Sequence, residues 1–404
     1  MKPIFIASTP NFEKDDYDIV KDILKGNISE KEFKDSKIEV TKFFENTFKK
    51  KATFFNTGRT ALYQTLKNIG IQEADEVILQ AMTCLAVPLP ILWSKAKPIY
   101  ADINEKTYSI NLEDIKSKIT ERTKAIVVTH MFGKVLPLDE FKGYIDKLNQ
   151  MRKRQIYLIE DCAHILDSNM KIYGDFAFFS FAQDKPISCM TGGVVLGELK
   201  IEEMKEREGN DIQEMGEKYS KKILKSVLLW KRIKETYYKP FGVSKISFGK
   251  FLILLSRYLG LTKSQANPND LSKKPEIYTL SKYFFPLLKN QLSKLDKLNE
   301  KREKVSKIYG ERGVFLRYPI QCSNPKALRE VLRQEKIICG NWYNNPVYPR
   351  GINMKDFGYI AGSCPVAEKL SKNILNLPTN IEVGEEEARK INNIVNNFII
   401  QRNN

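Results

Sequence analysis

Two side chains that could take part in a reaction follow two apolar runs of the sequence. Asp161 stands directly after the predicted strand Gln155–Glu160, and Lys185 comes shortly after the apolar run Phe176–Phe181. If both runs are strands of one open α/β sheet, Asp161 lies at the carboxyl end of its strand, the edge at which such sheets bind ligands. A lysine at the mouth of a buried strand can lose its proton through desolvation and form a Schiff base with an aldehyde.

Each of these residues has an ordinary interpretation when it is taken alone. An acid at a strand end often caps the next helix, and a lysine in a loop is usually a solvated surface charge. The order Asp161, strand, Ser180, Lys185 and then Gly192-Gly193 is more specific. Pyridoxal phosphate (PLP) chemistry needs such a set, because a carboxylate paired with the pyridine nitrogen keeps that nitrogen protonated and the ring electron-poor.

A turn that suits a phosphate group lies nearer the N-terminus. Asn56–Leu62 is predicted to be a strand end, a glycine turn and the start of a helix. Backbone N–H groups and hydroxyls at a helix N-terminus bind anions readily, and Ser180 could supply a further hydroxyl. An ordinary threonine-capped helix would also explain the turn.

Short apolar runs alternate with helical segments from residue 52 to residue 196, which predicts a mostly parallel sheet covered on both faces by helices. The predicted strands are Ala52–Asn56, Glu76–Gln80, Pro98–Ala101, Lys124–Thr129, Gln155–Glu160, Phe176–Phe181 and Gly193–Leu196. A long helix is predicted over Leu287–Tyr309. We expect a large domain over residues 1–280, with a basic and apolar insertion at about 200–276, and a smaller C-terminal α+β domain over residues 281–404.

The composition limits the class of protein. The 404 residues are 42% hydrophobic and 28% charged, which is typical of a globular protein with a core and allows two domains. The N-terminus has too short an apolar run for a secretory signal, and no run reaches the ~18–20 apolar residues of a membrane-spanning helix, so we expect a cytoplasmic protein. Six scattered cysteines and two histidines favour reduced thiols and predict no metal site.

Several motifs together resemble those of the DegT/DnrJ family of fold-type I PLP aminotransferases, over most of the chain apart from roughly residues 200–276. The matching stretches are Thr57–Leu62 (phosphate loop), Asp75–Ile78, Lys97–Ile103, His130–Gly133, Glu160–His164, Gly174-Asp175, Phe179–Lys185, Thr191–Gly193, Cys364–Glu368 and Asn376–Pro378. The resemblance implies a fold-type I structure, PLP as the cofactor and a homodimer with active sites at the interface.

The resemblance also implies roles for individual residues. Lys185 would carry the cofactor covalently and move the proton, and Asp161 would pair with the pyridine nitrogen. His164 would contact the phenolic oxygen of the cofactor. The residues that would hold the phosphate are Thr57, Gly58, Arg59 and Ser180.

Two positions depart from the family pattern. Cys84 stands where the family usually stacks an aromatic side chain on the pyridine ring, so Cys84 would face the ring instead. Ile277–Thr279 stands where the family has Asn-Tyr-Arg, whose Asn normally reaches the phosphate from the neighbouring subunit.

The loop from Ile338 to Pro349 resembles the family's loop that covers the substrate from the small domain. Its Trp342 and Tyr343 could stack on a sugar or a nucleotide, although a role in the core of the small domain is equally consistent with the pattern. His130, at a strand end, is either a structural histidine or a substrate contact.

The net charge of +17 is concentrated in one stretch. Residues 218–262 contain eleven Lys/Arg and a single acid, Glu235, interleaved with apolar residues. Three interpretations remain open: an insertion packed on the dimer or domain surface, a helix pair at a membrane surface, peripheral to the inner membrane face, or a funnel for an acidic substrate. No nucleic-acid binding is expected, because no recognised motif accompanies the charge.

The sequence therefore favours an aminotransferase that passes an amino group, from a donor such as glutamate, to a keto sugar that is nucleotide-linked, in surface-glycan or related biosynthesis. Two alternatives stay open, namely a dehydratase or other lyase of the same fold, and a catalytically divergent accessory protein at the membrane surface. No Walker loop, GxGxxG motif or nucleophile elbow is present, which argues against NTPases, classical dehydrogenases and hydrolases.

Overall fold

The computed structural model describes residues 4–5, 10–200, 202, 212–240, 247–258, 267–273 and 275–403. Its strands are β1 (Ile4–Phe5), β2 (Ala52–Phe55), β3 (Glu76–Gln80), β4 (Thr83–Cys84), β5 (Lys97–Ala101), β6 (Thr123–Thr129), β7 (Tyr157–Asp161), β8 (Phe176–Ser180), β9 (Gly193–Leu196), β10 (Arg317–Gln321), β11 (Ile337–Ile338), β12 (Val347–Tyr348) and β13 (Ile374–Pro378).

The helices of the described part are α1 (Lys14–Lys25), α2 (Glu30–Phe48), α3 (Gly58–Asn68), α4 (Pro88–Trp93), α5 (Leu112–Lys118), α6 (Asp139–Met151), α7 (Glu217–Thr236), α8 (Phe248–Tyr258), α9 (Phe285–Ser293), α10 (Leu295–Tyr309), α11 (Pro325–Gln334), α12 (Pro365–Asn373) and α13 (Glu385–Asn403).

A seven-stranded sheet organises the larger part of the chain. Its strand order is β2-β9-β8-β7-β6-β3-β5, and its neighbours are parallel except that β9 runs antiparallel to both β2 and β8. The predicted mostly parallel α/β sheet is therefore confirmed. Strands β2, β6, β7 and β8 consequently end at the same edge, which brings together the polar residues that follow them.

Helices cover both faces of this sheet, which is why the central residues of its strands are mostly apolar. Successive residues of β6 alternate between the two faces. Ala125 and Val127 join the apolar cluster of α3 and α4, whereas Ile126 and Val128 join that of α5 and α6. Helices α1, α2 and α9 cover β2, β8 and β9 in a third cluster.

The C-terminal part has a separate core around the antiparallel pair β10–β13 and helices α10, α11 and α13. The first strand belongs to this core, because Ile4 pairs with Ile337 in a parallel bridge. Helix α9, by contrast, packs on α2 in the core of the large sheet. The division into residues 1–280 and 281–404 stays a prediction.

The long helix predicted over Leu287–Tyr309 consists of two helices, α9 and α10. They meet at Lys294, whose backbone N–H bonds to the carbonyl of Gln291 at 3.3 Å in a tight turn. The side chain of Lys294 forms ion pairs with Asp15 (3.1 Å) and Asp16 (2.6 Å) at the start of α1. The apolar spacing continues through the break, so the sequence pattern did not reveal it.

Helices α7 and α8 fill much of the described part of the predicted insertion. Helix α7 packs on α1, and α8 packs on α7. No helix among the described residues combines the length and the apolar character that crossing a bilayer requires.

Candidate active site

A cleft of about 620 Å³ opens at the sheet edge where β2, β6, β7 and β8 end. Most of the site residues expected from the sequence line it, namely Thr57, Gly58, Arg59, Cys84, Asp161, His164, Ser180, Lys185 and Tyr343. Asp161 and Lys185 therefore share one cavity. Its volume lies within the range of ~300–1,000 Å³ that is usual for cofactor and small-ligand sites.

Asp161 is held in a fixed orientation at the end of β7. Its Oδ2 accepts a hydrogen bond from the hydroxyl of Thr129 at 3.1 Å, and its Oδ1 accepts one from the backbone N–H of Ala163 at 2.9 Å. Burial raises the pKa of the Asp161 carboxyl, and the N–H of Ala163 and the charge of Lys185 oppose this rise. A buried carboxylate of this kind gains from a cationic partner, which a protonated pyridine nitrogen would be.

Lys185 stands in the loop between β8 and β9. Its backbone N–H bonds to the carbonyl of Ala182 at 3.2 Å, and a bridge between Ala182 and Met190 closes the loop. The carboxylate of the neighbouring Asp184 forms an ion pair with Arg317, with 3.2 Å between Oδ2 and Nη2. The backbone on both sides of Lys185 is thereby anchored, and Lys185 lines the cleft.

The expected phosphate turn has the geometry of an anion cradle. Thr57 is the N-cap of α3, and its hydroxyl oxygen accepts the backbone N–H of Thr60 at 3.0 Å. A Cβ added at Gly58 would lie 3.0 Å from the Cβ of Ser180, and one added at Gly193 would lie 2.7 Å from the backbone of Gly58. The two glycines thus let the helix N-terminus and Ser180 approach closely, as a phosphate that binds to both would require.

Arg59 has a carboxylate partner in this structure. Its Nη1 lies 2.9 Å from Oδ2 of Asp270, and its guanidinium carbon lies 5.8 Å from the centre of the Trp93 ring. The indole N–H of Trp93 in turn bonds to the carbonyl of Asp270 at 3.1 Å. The expected phosphate contact of Arg59 therefore stays a prediction, and Asp270 competes for the same guanidinium.

His164 is a neutral imidazole with a defined tautomer. Its Nδ1 accepts the backbone N–H of Phe132 at 3.2 Å, so the proton resides on Nε2, which lies 3.0 Å from the hydroxyl of Tyr343. Burial, together with the charges of Lys185 and Arg317, lowers the pKa of His164 well below its ordinary value. The Tyr343 hydroxyl therefore accepts from His164 and keeps its own proton for a further acceptor.

A strand pair between the C-terminal part of the chain and β4 lies next to Tyr343 at the cleft. Strand β12 runs parallel to β4, which places Tyr348 beside Cys84. Burial raises the pKa of the Cys84 thiol, which keeps the thiol protonated. Cys84 lines the cleft, in agreement with its expected position, and its contact with a cofactor ring stays a prediction.

Two expected substrate contacts do not line the cleft. His130 is fully buried, with Nδ1 accepting the N–H of Leu136 at 3.1 Å and Nε2 lying 2.9 Å from Glu160. This placement favours the structural interpretation of His130. Trp342 lies outside the lining and packs its ring on the guanidinium of Arg317 at 4.1 Å.

The atoms that could bind a metal ion lie within 4.8 Å of one another in three side chains, those of His130, Glu160 and Cys162. Glu160 also accepts the backbone N–H of Tyr173 at 2.6 Å, and all three clustered side chains are buried. The buried carboxylate of Glu160 therefore has hydrogen-bond donors within the protein, so its burial does not require a metal ion.

Sequence reasoning named no residue of one wall of the cleft, although a funnel for an acidic substrate was one interpretation of the basic stretch. Helix α7 contributes Tyr219, Lys222, Ile223 and Ser226, and the segment from Asn267 to Glu276 contributes further lining residues. This segment is tied to the phosphate turn, because Nδ2 of Asn56 donates to the carbonyl of Glu276 at 2.9 Å. The concentration of lysines in α7 is the signal behind the funnel interpretation.

The comparisons with known proteins agree with this geometry. A family model described as the DegT/DnrJ/EryC1/StrS aminotransferase family matches residues 10–222 and 287–396. The chain is 33% identical to the GDP-perosamine synthase of Escherichia coli O157:H7 over 38% of this chain and 42% of that enzyme, which is less than half of its length. It is 24% identical to the UDP-N-acetyl-3-dehydro-alpha-D-glucosamine 3-aminotransferase of Acidithiobacillus ferrooxidans, over 84% of this chain and 82% of that one.

The fold is also similar to solved structures. A proposed sugar aminotransferase of Streptococcus pneumoniae, solved in PLP and PMP forms, superposes with a TM-score of 0.69 at 17% identity, covering 99% of this chain and 98% of the other. At that identity the likeness supports the fold alone.

Proposed function

The chain belongs to the DegT/DnrJ/EryC1/StrS aminotransferase family, and from this premise we propose that it transfers an amino group from glutamate to a nucleotide-linked keto sugar. It is an aminotransferase with PLP as its cofactor. The donor, the keto sugar and its nucleotide are the parts that we propose. The observation that carries the proposal is the single cleft shared by Asp161, Lys185 and the phosphate turn.

The residues of the cleft fit PLP at each of its polar groups. The N-terminus of α3 with Thr57 and Ser180 would hold the phosphate, and the buried carboxylate of Asp161 would hold the pyridine nitrogen in its protonated form. Bound PLP would supply an electron sink for the carbon that loses its proton. The amine of Lys185 would anchor the aldehyde and, once the amino donor has displaced it, would remove and return a proton at Nζ.

Two observations support a nucleotide-linked sugar as the acceptor. Two of the relatives given above are named for nucleotide-linked sugars, GDP-perosamine and UDP-N-acetyl-3-dehydro-alpha-D-glucosamine. The cleft wall contributed by α7 and by the segment from Asn267 also carries Lys222 and Lys273, cations that would attract phosphate groups of a substrate. We further propose that the enzyme is a cytoplasmic homodimer, as the family resemblance implies.

The cofactor step is tested with Lys185→Ala and the matched control Lys171→Ala, an exposed lysine outside the cleft. After borohydride reduction, mass spectrometry should find PLP covalently attached to the Lys185 peptide in the wild type and in the control. Lys185→Ala should show no covalent cofactor. A wild type that gains no visible absorption band with added PLP would contradict the assignment.

The reaction is tested by adding glutamate to the PLP-loaded protein. An aminotransferase should convert its cofactor to the PMP form, and a nucleotide-linked keto sugar should then restore the PLP form. A lyase or dehydratase of the same fold would turn over a sugar without this conversion. If the cofactor is bound but glutamate leaves its spectrum unchanged while glutamine changes it, the donor assignment is wrong and the aminotransferase assignment stands.

A further inference from the structure

Arg302 on α10 is a buried cation to which the proposed reaction gives no role. It is 2% exposed, its Nη2 donates to the carbonyl of Pro186 at 2.5 Å, and its Nη1 donates to Oδ1 of Asn299 at 2.9 Å. Both acceptors are uncharged, and burial lowers the pKa of Arg302 to about 10, so the side chain is still a cation at neutral pH. Because a buried cation with uncharged partners is unfavourable by itself, its benefit must come from what its hydrogen bonds hold in place.

The first group that Arg302 holds lies next to the reacting lysine. Pro186 directly follows Lys185 in the chain and is buried. Proline has no N–H, so its carbonyl is the only backbone group through which a hydrogen bond can hold this position. Arg302 therefore fixes the chain on one side of Lys185, and the ion pair between Asp184 and Arg317 fixes it on the other.

Asn299 extends this contact to a second loop. It lies three residues before Arg302 on α10, so the two side chains share a helix face. Its Nδ2 donates to the carbonyl of Leu166 at 2.8 Å, and both Asn299 and Leu166 are buried, at 7% and 2% exposure. Leu166 belongs to the loop after β7, two residues beyond His164.

The hydrogen bonds from Pro186 through Arg302 and Asn299 to Leu166 form one buried chain. Its ends lie in the loops that follow β8 and β7, which are neighbouring parallel strands of the large sheet. The donors of a guanidinium form a rigid planar fork, so its contacts fix direction as well as distance. The chain of hydrogen bonds thus sets the spacing between two loops at the edge of the cleft.

We propose that Arg302 and Asn299 are positioning residues, a bridge that holds Lys185 in its place relative to Asp161 for the reaction. This inference rests on the proposed function, because it takes Lys185 as the residue that joins to PLP. Neither bridge residue is among those that line the cleft, so both act through the loops that they connect. A shift of about 1 Å at a reacting group can slow a reaction by about 100-fold, so loss of the bridge should affect the rate more than the binding of the cofactor.

The test follows the covalent attachment of PLP to the full-length protein after its cofactor has been removed. In this step Nζ of Lys185 and the aldehyde carbon of PLP form a C=N bond and release one water. Stopped-flow absorption at saturating PLP gives the rate, which should fall by about 10- to 100-fold in both R302M and N299L. The affinity for PMP, which occupies the site without this bond, should stay close to that of the wild type.

Two further variants separate the bridge from its parts. R302K keeps the charge and one donor group but not the fork, so it should recover part of the lost rate. The double variant R302M/N299L should be no slower than the slower single variant, because each substitution already breaks the same bridge. R302K and N299L also provide the comparison if R302M does not fold.

The matched control is V305A, which changes another buried residue of α10. Val305 is 1% exposed and belongs to the core of the C-terminal part. Its truncation leaves a cavity and lowers the unfolding free energy, which denaturant unfolding measures for every variant. Because the bridge stays intact, V305A should attach PLP at the wild-type rate.

Three results would overturn the bridge while leaving the proposed function in place. In the first, R302M and N299L attach PLP as fast as the wild type. In the second, V305A slows the attachment as much as R302M does, which would assign the effect to lost stability. In the third, the effects of R302M and N299L multiply in the double variant, which would show that the two residues act separately. A wild type that attaches no PLP would instead refute the proposed function, and the bridge with it.

Discussion

Replacing His164 with glutamine separates the hydrogen bonds of this residue from its titration. In the wild type, Nδ1 accepts the N–H of Phe132 and the Nε2–H donates to the hydroxyl of Tyr343. A glutamine amide offers one acceptor oxygen and one donor nitrogen, and it stays neutral across the pH range of folding. His164→Gln should therefore keep both contacts and remove only the proton equilibrium.

The magnitude follows from the lowered pKa of His164. The unfolded chain protonates this imidazole at its ordinary pKa of ~6.5, whereas the folded protein keeps it neutral to a much lower pH. Between those two values the unfolded state binds one more proton, so the stabilising effect is complete above ~6.5 and is lost as the pH falls below it. The slope is about 1.4 kcal/mol of unfolding free energy per pH unit.

The assay compares denaturant unfolding of wild type and His164→Gln across this range, with the same cofactor loading in both. Other titrating groups are common to the two proteins and cancel in the difference of their unfolding free energies. That difference should be constant above pH ~7 and should move in favour of glutamine by about 1.4 kcal/mol per unit below pH ~6.5. A difference that does not change with pH would refute the buried, neutral state of His164.

Histidine-selective NMR labelling provides an independent check, since His130 and His164 are the only histidines. The signal that disappears in His164→Gln should not titrate in the folded wild type. A titration midpoint near the ordinary value for that signal would contradict the same reasoning.

Two further predictions concern packing at the cleft. Gly193→Ala should weaken PLP affinity and lower the unfolding free energy by about 1–3 kcal/mol, because the added Cβ would clash with the backbone of Gly58. Gly143→Ala, where an added Cβ meets open space, should leave PLP affinity unchanged. A titration of cofactor absorption measures both affinities, and equal values would argue against the phosphate cradle. Tyr343→Phe should lower the unfolding free energy by about 1–3 kcal/mol, because it leaves the Nε2–H of His164 without its acceptor. An unfolding free energy equal to that of the wild type, measured with denaturant, would show that another group accepts this hydrogen bond.

The sequence was sufficient to predict the sheet and to place Asp161 and Lys185 in one cleft, for a common physical reason. Strands buried on both faces must be mostly apolar through their centres, so β6, β7 and β8 stand out in the sequence. The ends of parallel strands meet at one edge, so the sequence alone was enough to expect Asp161 and Lys185 in one cleft. The family resemblance of the motifs is confirmed by the family model.

Features that depend on neighbours remote in sequence could not be predicted in this way. Arg59 pairs with Asp270, and His130 pairs with Glu160. The residues of each pair are far apart in the sequence, so no local sequence pattern indicates the contact. At the break between α9 and α10, Lys294 pairs with acids at the start of α1, which are remote from it in sequence. An amphipathic helix such as α7 indicates that one face is covered, but not what covers it.

The contrast between the two walls of the cleft bears on specificity. The candidate cofactor contacts, from Thr57 to Lys185, lie within the stretch matched by the family model, whereas Ser226, Asn267 and Lys273 lie in the unmatched stretch between residues 222 and 287. That stretch reaches the phosphate turn directly, through the bond from Asn56 to the carbonyl of Glu276. The proposed chemistry at Lys185 is therefore what this chain would have in common with the family. We expect the wall formed by α7 and by the lining residues between Asn267 and Glu276 to determine the choice of substrate.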